Sequence, residues 1–154
     1  MKNKNVTNRI YGAYGSNLDL NQMAWRCPGG QRLITGYVND YRLTFRRGGY
    51  ANIEPSKGDR VPVLLWEISQ DNEKALDRYE GFPHFYIKVE LPVETCQGAM
   101  EAMFYIMADQ YTTQSEKPTI RYYSTLYRGY VDNCLPLKYL KKAIKENESE
   151  LGKS

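Results

Sequence analysis

Two neighbouring segments, residues 86–93 and 99–107, constrain the fold of this chain more than any other feature. From Ile87 to Val93 the apolar side chains recur at every second position, and residues 99–107 are predicted to be a second strand of the same kind. A period of two is typical of a β-strand with one buried face. Gln97 and Gly98 lie between the segments, and a short connection that contains glycine favours a hairpin. The sequence therefore predicts two antiparallel strands joined by a tight turn.

Three more segments are predicted to be strands. Residues 9–14 read as a short first strand, and residues 35–46 alternate as a half-buried strand does. Residues 61–68 are apolar on both faces, as expected of a central strand. Residues 48–59 are predicted to form a loop, because they begin with two glycines and include a proline.

Helices are predicted between and after these strands. One or two helical turns are expected over residues 18–26. A longer helix is predicted over residues 70–80, where Ser69 can cap the first turn. Gly81 follows in the position where glycine commonly ends a helix. A final helix is predicted to start at Pro136, because proline is tolerated in the first helical turn.

Another helix is predicted from Pro118 to about Gly129. Its apolar stripe consists of Ile120, Tyr123, Tyr127 and Tyr130. Adjacent residues of a helix point about 100° apart, so Tyr122 lies away from the centre of that stripe. We therefore expect the Tyr122 hydroxyl to face a cleft and the Tyr123 ring to contribute mainly to stability.

The order of these elements sets the expected fold class. Strands and helices are interleaved without the regular alternation that produces a parallel sheet. We predict an α+β fold, a mixed and largely antiparallel β-sheet or small barrel with surrounding helices. The length of 154 residues suits one domain, so residues 1–154 are predicted to form a single domain. Residues 145–154 lack apolar periodicity and are expected to fray.

Charge and hydropathy argue against two classes of partner. The chain has 21 basic and 18 acidic residues, a mild bias of +3, so no nucleic-acid partner is predicted. The 14 tyrosines and the cluster of Arg42, Arg46 and Arg47 keep a nucleic-acid-binding barrel as a disfavoured alternative. No apolar stretch reaches about 18 residues, so no membrane span is predicted.

The cysteines indicate a reducing compartment. Cys27, Cys96 and Cys134 are odd in number and widely spaced, and they form no CxxC pair. Neither a disulfide framework nor a zinc site is therefore predicted. The polar N-terminal residues lack the apolar run of a signal peptide. We expect a cytoplasmic protein.

The inventory of catalytic residues is short. His84 is the single histidine, and it falls in a predicted loop, where a structural or solvated role is the commoner one. The glycines near Ser16 form neither a nucleophile elbow nor a P-loop. We predict no transition-metal site, because the chain has one histidine and no cysteine cluster.

Two local features remain as candidates for a functional site. Gly15-Ser16-Asn17 follows the first strand, and its successive amides can bind an anion, although the spacing alone favours an ordinary strand-to-helix turn. Glu80 ends a predicted helix between Tyr79 and Phe82. A carboxylate among aromatic rings can lose water and gain a pKa suited to a base, but an exposed glutamate is the more common case.

Three blocks, in this order and spacing, resemble the gamma-glutamylcyclotransferase-like family. The first is Tyr14-Gly15-Ser16-Asn17-Leu18, extended upstream to Tyr11, and the second is Leu76-Asp77-Arg78-Tyr79-Glu80-Gly81, followed by Tyr86. The third contains Pro118, Tyr122, Gly129, Leu135-Pro136-Leu137 and Tyr139. The resemblance covers most of the chain, from about Ile10 to Tyr139.

The resemblance assigns roles to particular residues. It makes Glu80 the catalytic acid and base. It makes the following residues the substrate-binding set: Tyr11, Gly12, Ala13, Tyr14, Gly15, Ser16, Asn17 and Tyr122. The chain departs from the family at two positions. Gly12 stands where an apolar residue is common, and Cys134 stands where glycine is common, so the pocket floor and the turn at Asn133-Cys134 are expected to differ.

The resemblance also implies a reaction. The α-amine of a γ-glutamyl amide attacks the γ-carbonyl, which yields 5-oxoproline and releases an amine or amino acid, with no metal or cofactor. The partner would be a small γ-glutamyl molecule: a γ-glutamyl amino acid, a γ-glutamyl amine or a biosynthetic intermediate. A monomer and a homodimer are both open. The alternative is a non-catalytic small-ligand-binding or regulatory domain on the same fold.

Overall fold

The computed structural model describes residues 8–153, and its centre is a closed barrel of five strands. The strands are β1 (Arg9–Ala13), β2 (Gln31–Phe45), β3 (Ala51–Ile68), β4 (Tyr86–Thr95) and β5 (Gly98–Met107). They close in the order β1-β3-β2-β4-β5, and every pairing is antiparallel except that of β1 with β5. Four helices surround them: α1 (Leu20–Arg26), α2 (Gln70–Glu80), α3 (Ile120–Asp132) and α4 (Leu137–Leu151). The predicted fold class is confirmed.

The β4–β5 hairpin is present as predicted. Tyr86 pairs with Met107 at one end, and Thr95 pairs with Gly98 at the turn. Gly98 adopts a φ of 106°, which a residue with a side chain rarely adopts. Cys96 and Gln97 therefore form the two-residue connection that sets the register of the hairpin.

The loop predicted over residues 48–59 is wrong. β3 begins at Ala51 and continues through this segment, and it pairs with β2 from Phe45 opposite Ala51. Only a 3-10 turn over Arg47–Gly49 separates the two strands. Pro55 pairs with Tyr41 and Arg60 pairs with Asn39, so residues 56–59 bulge out of the pairing, and Gly58 there has a φ of 88°. The turn-forming residues therefore produce a bulge within a long strand and not the predicted loop.

The predicted limits of α2 are confirmed, together with the residues that set them. The Ser69 side chain accepts a hydrogen bond from the Asn72 amide, and the Asn72 side chain accepts one from the Ser69 amide. At the other end Gly81 has a φ of 67°. This left-handed residue terminates the helix directly after Glu80.

The apolar stripe predicted for α3 is wrong in part. Ile120 is 85% exposed and Tyr127 is 41% exposed. The buried residues of the helix are instead Thr125, Leu126, Gly129 and Tyr130. Gly129 packs so closely on Leu18 that an added Cβ would lie 2.5 Å from the Leu18 Cβ. The face of α3 that contacts the turn is thus centred on a glycine, and a search for the spacing of large apolar residues does not detect it.

The frayed tail predicted over residues 145–154 is wrong over residues 145–151, because α4 continues to Leu151, while Ser154 lies outside the described residues. Asn147 is 2% exposed, and its amide donates to the carbonyls of Phe45 and Glu116. Glu146 and Glu150 both pair with Arg42. Polar contacts hold this half of the helix, so apolar periodicity could not reveal it. Among residues 8–153, no helix has the length and apolar character to cross a membrane.

Candidate active site

A cavity of about 210 Å³ opens where the end of β1, the start of β3, the end of α2 and the first turn of α3 meet. The predicted site residues that line it are Tyr11, Gly12, Tyr14, Gly15, Ser16, Asn17, Glu80 and Tyr122. Six further residues complete the wall: Tyr50, Ala51, Tyr79, Phe85, Tyr86 and Tyr105. The structure thus brings together three blocks that are widely separated in the sequence.

Glu80 is the one acidic side chain among the described residues of the cavity wall. It is half-buried at the last turn of α2, while Leu76, one turn earlier, is anchored in the core with no exposed surface. No described residue forms a hydrogen bond or a salt bridge with its carboxyl group. Burial raises the pKa of Glu80 to about 7, and the positive charge of Arg26 opposes that rise.

The turn after β1 forms another part of the wall. A 3-10 turn runs over Ser16–Leu18, and its bonds are made by the amides of Leu18 and Asp19. The amides of Ser16 and Asn17, at the start of the turn, have no carbonyl partner within it, so they can donate hydrogen bonds to an anion. The Asn17 side chain is buried and donates to the Tyr11 hydroxyl at 2.9 Å.

Two tyrosine hydroxyls in the wall accept hydrogen bonds from the protein. Tyr11 accepts from Asn17, and Tyr122 accepts from the Ala51 amide at 3.0 Å. Burial raises the pKa of both tyrosines well above the usual value, so both keep their protons. Since each oxygen already receives a hydrogen, its own O–H is left to donate to a ligand in the cavity.

Ala51 is fixed by two tyrosines. Tyr86 donates to the Ala51 carbonyl at 2.8 Å, and Tyr122 accepts from the Ala51 amide. Tyr50 packs edge-on against Tyr122 with 5.4 Å between ring centroids. Sequence reasoning misses Tyr50 and Ala51 as site residues because it assigns their segment to a loop. Tyr86 stands in the second family block, and that block is the available signal for it.

The Asp of the second block supports the site from behind. Asp77 accepts a hydrogen bond of 2.6 Å from the Tyr105 hydroxyl and pairs with Lys88. Tyr105 lines the cavity, and it lies edge-on to Tyr11 with 5.9 Å between centroids. Asp77 therefore ties α2 to the barrel three residues before Glu80.

The two departures from the family pattern have physical explanations. A Cβ added to Gly12 would lie 2.2 Å from the Phe104 ring, so Phe104 fills the space of the missing side chain. Cys134 is exposed and adopts a φ of 56°, a conformation that glycine reaches without steric cost. The turn therefore keeps a left-handed residue although it lacks glycine.

Two other expectations concern residues outside the cavity. Ala13 is predicted to be a substrate-binding residue, but it is 1% exposed, belongs to the core and is not among the residues that line the cavity. His84 is exposed and does not line it either. In the described part of the chain, no group of three or more His, Cys, Asp or Glu side chains is placed to hold a metal ion.

The sequence profile of a family described as "Gamma-glutamyl cyclotransferase, AIG2-like" matches residues 11–128. This span includes the turn, Glu80 and Tyr122. The chain belongs to the gamma-glutamyl cyclotransferase family. The family and the enzyme class that the three blocks predict are therefore confirmed.

Relatives and solved structures agree with this assignment. The chain is 30% identical over 153 residues to a human gamma-glutamylcyclotransferase, covering 90% of this chain and 80% of the relative. A bovine protein of the same name is also 30% identical, covering 86% of this chain and 76% of its own length. A solved structure of a gamma-glutamyl cyclotransferase superposes with a TM-score of 0.81 at 28% identity, covering 89% of this chain and 86% of the other.

Proposed function

We propose that this chain cyclises a γ-glutamyl amide to 5-oxoproline in the cavity, with Glu80 as the catalytic acid and base. The observation that carries the proposal is the geometry of Glu80. Its carboxyl has no hydrogen-bond partner among residues 8–153 and lines the same cavity as the turn at Ser16, and burial raises its pKa to about 7. A group with this pKa exchanges protons readily near neutral pH.

Glu80 moves protons between the two nitrogens of the substrate. The carboxylate takes a proton from the α-ammonium group, and the free amine then attacks the γ-carbonyl carbon. The new C–N bond closes a five-membered ring, and the bond to the departing nitrogen breaks as that nitrogen is protonated. The α-nitrogen loses two protons and the departing nitrogen gains two on becoming an ammonium group, so no co-reactant is consumed.

The cavity walls hold the substrate in the curled conformation that this attack requires. The amides of the turn at Ser16 receive the α-carboxylate, and the hydroxyls of Tyr11 and Tyr122 donate to it or to the developing oxyanion. An intramolecular attack in a fixed geometry can contribute about 7–11 kcal/mol toward the barrier. The protein therefore contributes mainly by positioning, together with one carboxyl group.

The partner proposed is a small γ-glutamyl molecule rather than nucleic acid. The basic cluster that kept the nucleic-acid alternative open is largely neutralised, because Arg42 pairs with Glu146 and Glu150, and Arg46 pairs with Glu54. A cytoplasmic location is also proposed. It is supported by the free thiols of the three cysteines.

The test is turnover of a panel of γ-glutamyl compounds, with 5-oxoproline as the measured product. The panel contains γ-glutamyl amino acids, γ-glutamyl alkylamines and an ε-(γ-glutamyl)lysine isopeptide. We expect Glu80→Gln to lower kcat by about 10²–10⁴ on any substrate that the wild type accepts. Glu148→Gln, an exposed change on α4, is the matched control and keeps full activity.

Two outcomes would contradict the proposal. One is a Glu80→Gln variant that releases 5-oxoproline within a few-fold of the wild-type rate. The other is a wild type that binds γ-glutamyl compounds without converting any of them, which would favour the non-catalytic binding domain instead.

A further inference from the structure

Arg26, the last residue of α1, does not line the cavity but touches two of its walls. Its guanidinium group is half-buried. Nη1 donates to the Asn17 side-chain oxygen and lies 3.3 Å from the Ser16 hydroxyl oxygen. Since Asn17 in turn donates to Tyr11, the contact extends from Arg26 to a hydroxyl inside the cavity.

The same guanidinium group contacts the helix that carries Glu80. Its Cζ atom lies 3.4 Å from the centroid of the Tyr79 ring, a cation–π distance. The Tyr79 hydroxyl lies 3.2 Å from the Ser16 hydroxyl. Arg26, Tyr79 and Ser16 therefore form a closed triangle of contacts between the turn and the last turn of α2.

The local sequence holds the backbone of Arg26 in place. Cys27 is 2% exposed, and its Sγ atom lies 3.8 Å from the Asn72 carbonyl oxygen. The Asn72 side chain donates to the Pro28 carbonyl at 3.2 Å while it also caps α2. The end of α1 is thus fastened to the start of α2. This anchoring limits the movement of Arg26 relative to Glu80.

Arg26 is also the positive charge that acts on Glu80. The other titratable groups that face Glu80 are tyrosines: Tyr11 of β1, Tyr14 directly after β1, Tyr79 of α2, Tyr86 of β4 and Tyr122 of α3. Burial raises the pKa of Tyr11, Tyr14, Tyr86 and Tyr122 well above the usual value, so these four carry no charge near pH 7. The guanidinium charge therefore opposes the effect of burial and keeps the pKa of Glu80 near 7 rather than higher.

We propose that Arg26 is a positioning residue, which holds the substrate-binding turn against the end of α2 and so sets the placement and the ionisation of Glu80. The inference rests on the proposed function of Glu80 as acid and base. Arg26 acts through Asn17, Ser16 and Tyr79 and transfers no proton itself. Its planar group is needed because a stack on Tyr79 and hydrogen bonds to the turn must be made together.

The experiment compares Arg26→Gln and Arg26→Lys with Arg60→Gln. Arg60 is the matched control, because it also stacks on a tyrosine, with Cζ 3.8 Å from the Tyr37 centroid, and bonds another, Tyr139, but lines no part of the cavity. For Arg26→Gln we expect kcat/KM to fall about 10–100-fold. Without the charge, the acidic limb of the pH profile should move up by about one unit.

Arg26→Lys keeps the charge and loses the planar contacts. It should restore the pH midpoint to near the wild-type value while KM stays raised, and Arg60→Gln should change neither. The inference is overturned if Arg26→Gln folds and keeps both kcat/KM and the midpoint of the wild type. It is also overturned if activity falls only in proportion to thermal stability, because Arg26 would then be structural.

A carbon-13 NMR titration of the Glu80 carboxyl group separates this inference from the proposed function. The titration measures the protonation of Glu80 without requiring turnover. The signal of Glu80 is assigned by its absence from the spectrum of Glu80→Gln. An unchanged titration midpoint in Arg26→Gln overturns the inference, whatever the activity. A raised midpoint in a protein that makes no 5-oxoproline upholds the coupling between Arg26 and Glu80 and overturns the proposed function.

Discussion

Glu54 and Glu80 are both partly buried, yet their environments shift the pKa values of their carboxyl groups in opposite directions. Glu54 is bonded by Arg46 at 2.7 Å through both carboxylate oxygens and accepts from the Thr44 hydroxyl at 2.9 Å. These partners lower its pKa in spite of burial. Glu80 loses water without gaining such partners, and its pKa rises. Bound partners, more than burial, decide whether a glutamate is a structural anion or a proton carrier.

The strongest test of this contrast removes the Glu54 charge. Glu54→Gln leaves Arg46 without its bidentate partner, and breaking such a pair in a barrel wall should cost about 2–3 kcal/mol of folding free energy. The Glu54 side chain is 22% exposed, so this figure is set below that of a fully buried pair. Denaturant unfolding at pH 7 measures the loss, and a variant as stable as wild type would show that the pair is not needed.

The pH dependence of the same variant checks the direction of the Glu54 effect. Because the folded-state pKa of Glu54 lies below its unfolded value, its contribution is present at neutral pH. It is lost as the pH falls through the folded-state pKa. The stability difference between wild type and Glu54→Gln should therefore shrink in acid.

Glu80→Gln should show the opposite dependence. The raised pKa of Glu80 means that the folded state holds its proton more tightly than the unfolded state between about pH 4.5 and 7. Ionisation therefore costs stability as the pH rises through this window, and glutamine avoids that cost. Because the carboxyl opens onto solvent in the cavity, we expect a gain of about 1–2 kcal/mol above pH 7.

Thermal melts at pH 5 and pH 8 measure this gain. The variant and the wild type should melt almost together at pH 5 and separate at pH 8, with the variant higher. Equal melting temperatures at both pH values would mean that Glu80 is solvated like a surface residue, and the contrast with Glu54 would fail.

The smallest expected effects come from removing one hydroxyl group beside each glutamate. Tyr122→Phe removes an O–H that is left free to donate in the cavity, so KM should rise about 3–10-fold. Thr44→Val removes the hydroxyl that donates to Glu54 and should leave KM unchanged while it lowers stability. Steady-state kinetics of the two variants decide between these roles. A raised KM in Thr44→Val alone would reverse the assignment.

Much of the site could be predicted from the sequence because its signals are local. Ser69 and Gly81 bound α2, so capping preferences within one segment are enough to place Glu80 at a helix end. The turn at Ser16 follows a short strand and is equally local. Tyr122 also lies in the cavity, although the stripe on α3 that predicts it there is only partly buried.

The missed features depend on contacts between distant segments. Ala51 enters the site because Tyr86 and Tyr122 hold its backbone from β4 and α3. Arg26 carries no signal in the sequence, because its partner Tyr79 lies on another helix and its role depends on their stacking. The end of α4 is ordered through Asn147 and carbonyls from remote segments. No pattern within one segment encodes such pairs.

Gly12 lines the cavity and Phe104 packs directly behind it, so this part of the wall depends on two strands at once, and the consequence is epistasis. A side chain at position 12 alone would collide with the Phe104 ring, whose carbons lie 2.2 Å from the added Cβ. A small residue at position 104 alone would leave a void, since Phe104 has no exposed surface. Each single substitution therefore lowers stability, whereas a larger residue at position 12 combined with a smaller one at position 104 conserves the packed volume. The two arrangements of this part of the wall are therefore separated by a barrier that one substitution at a time does not cross.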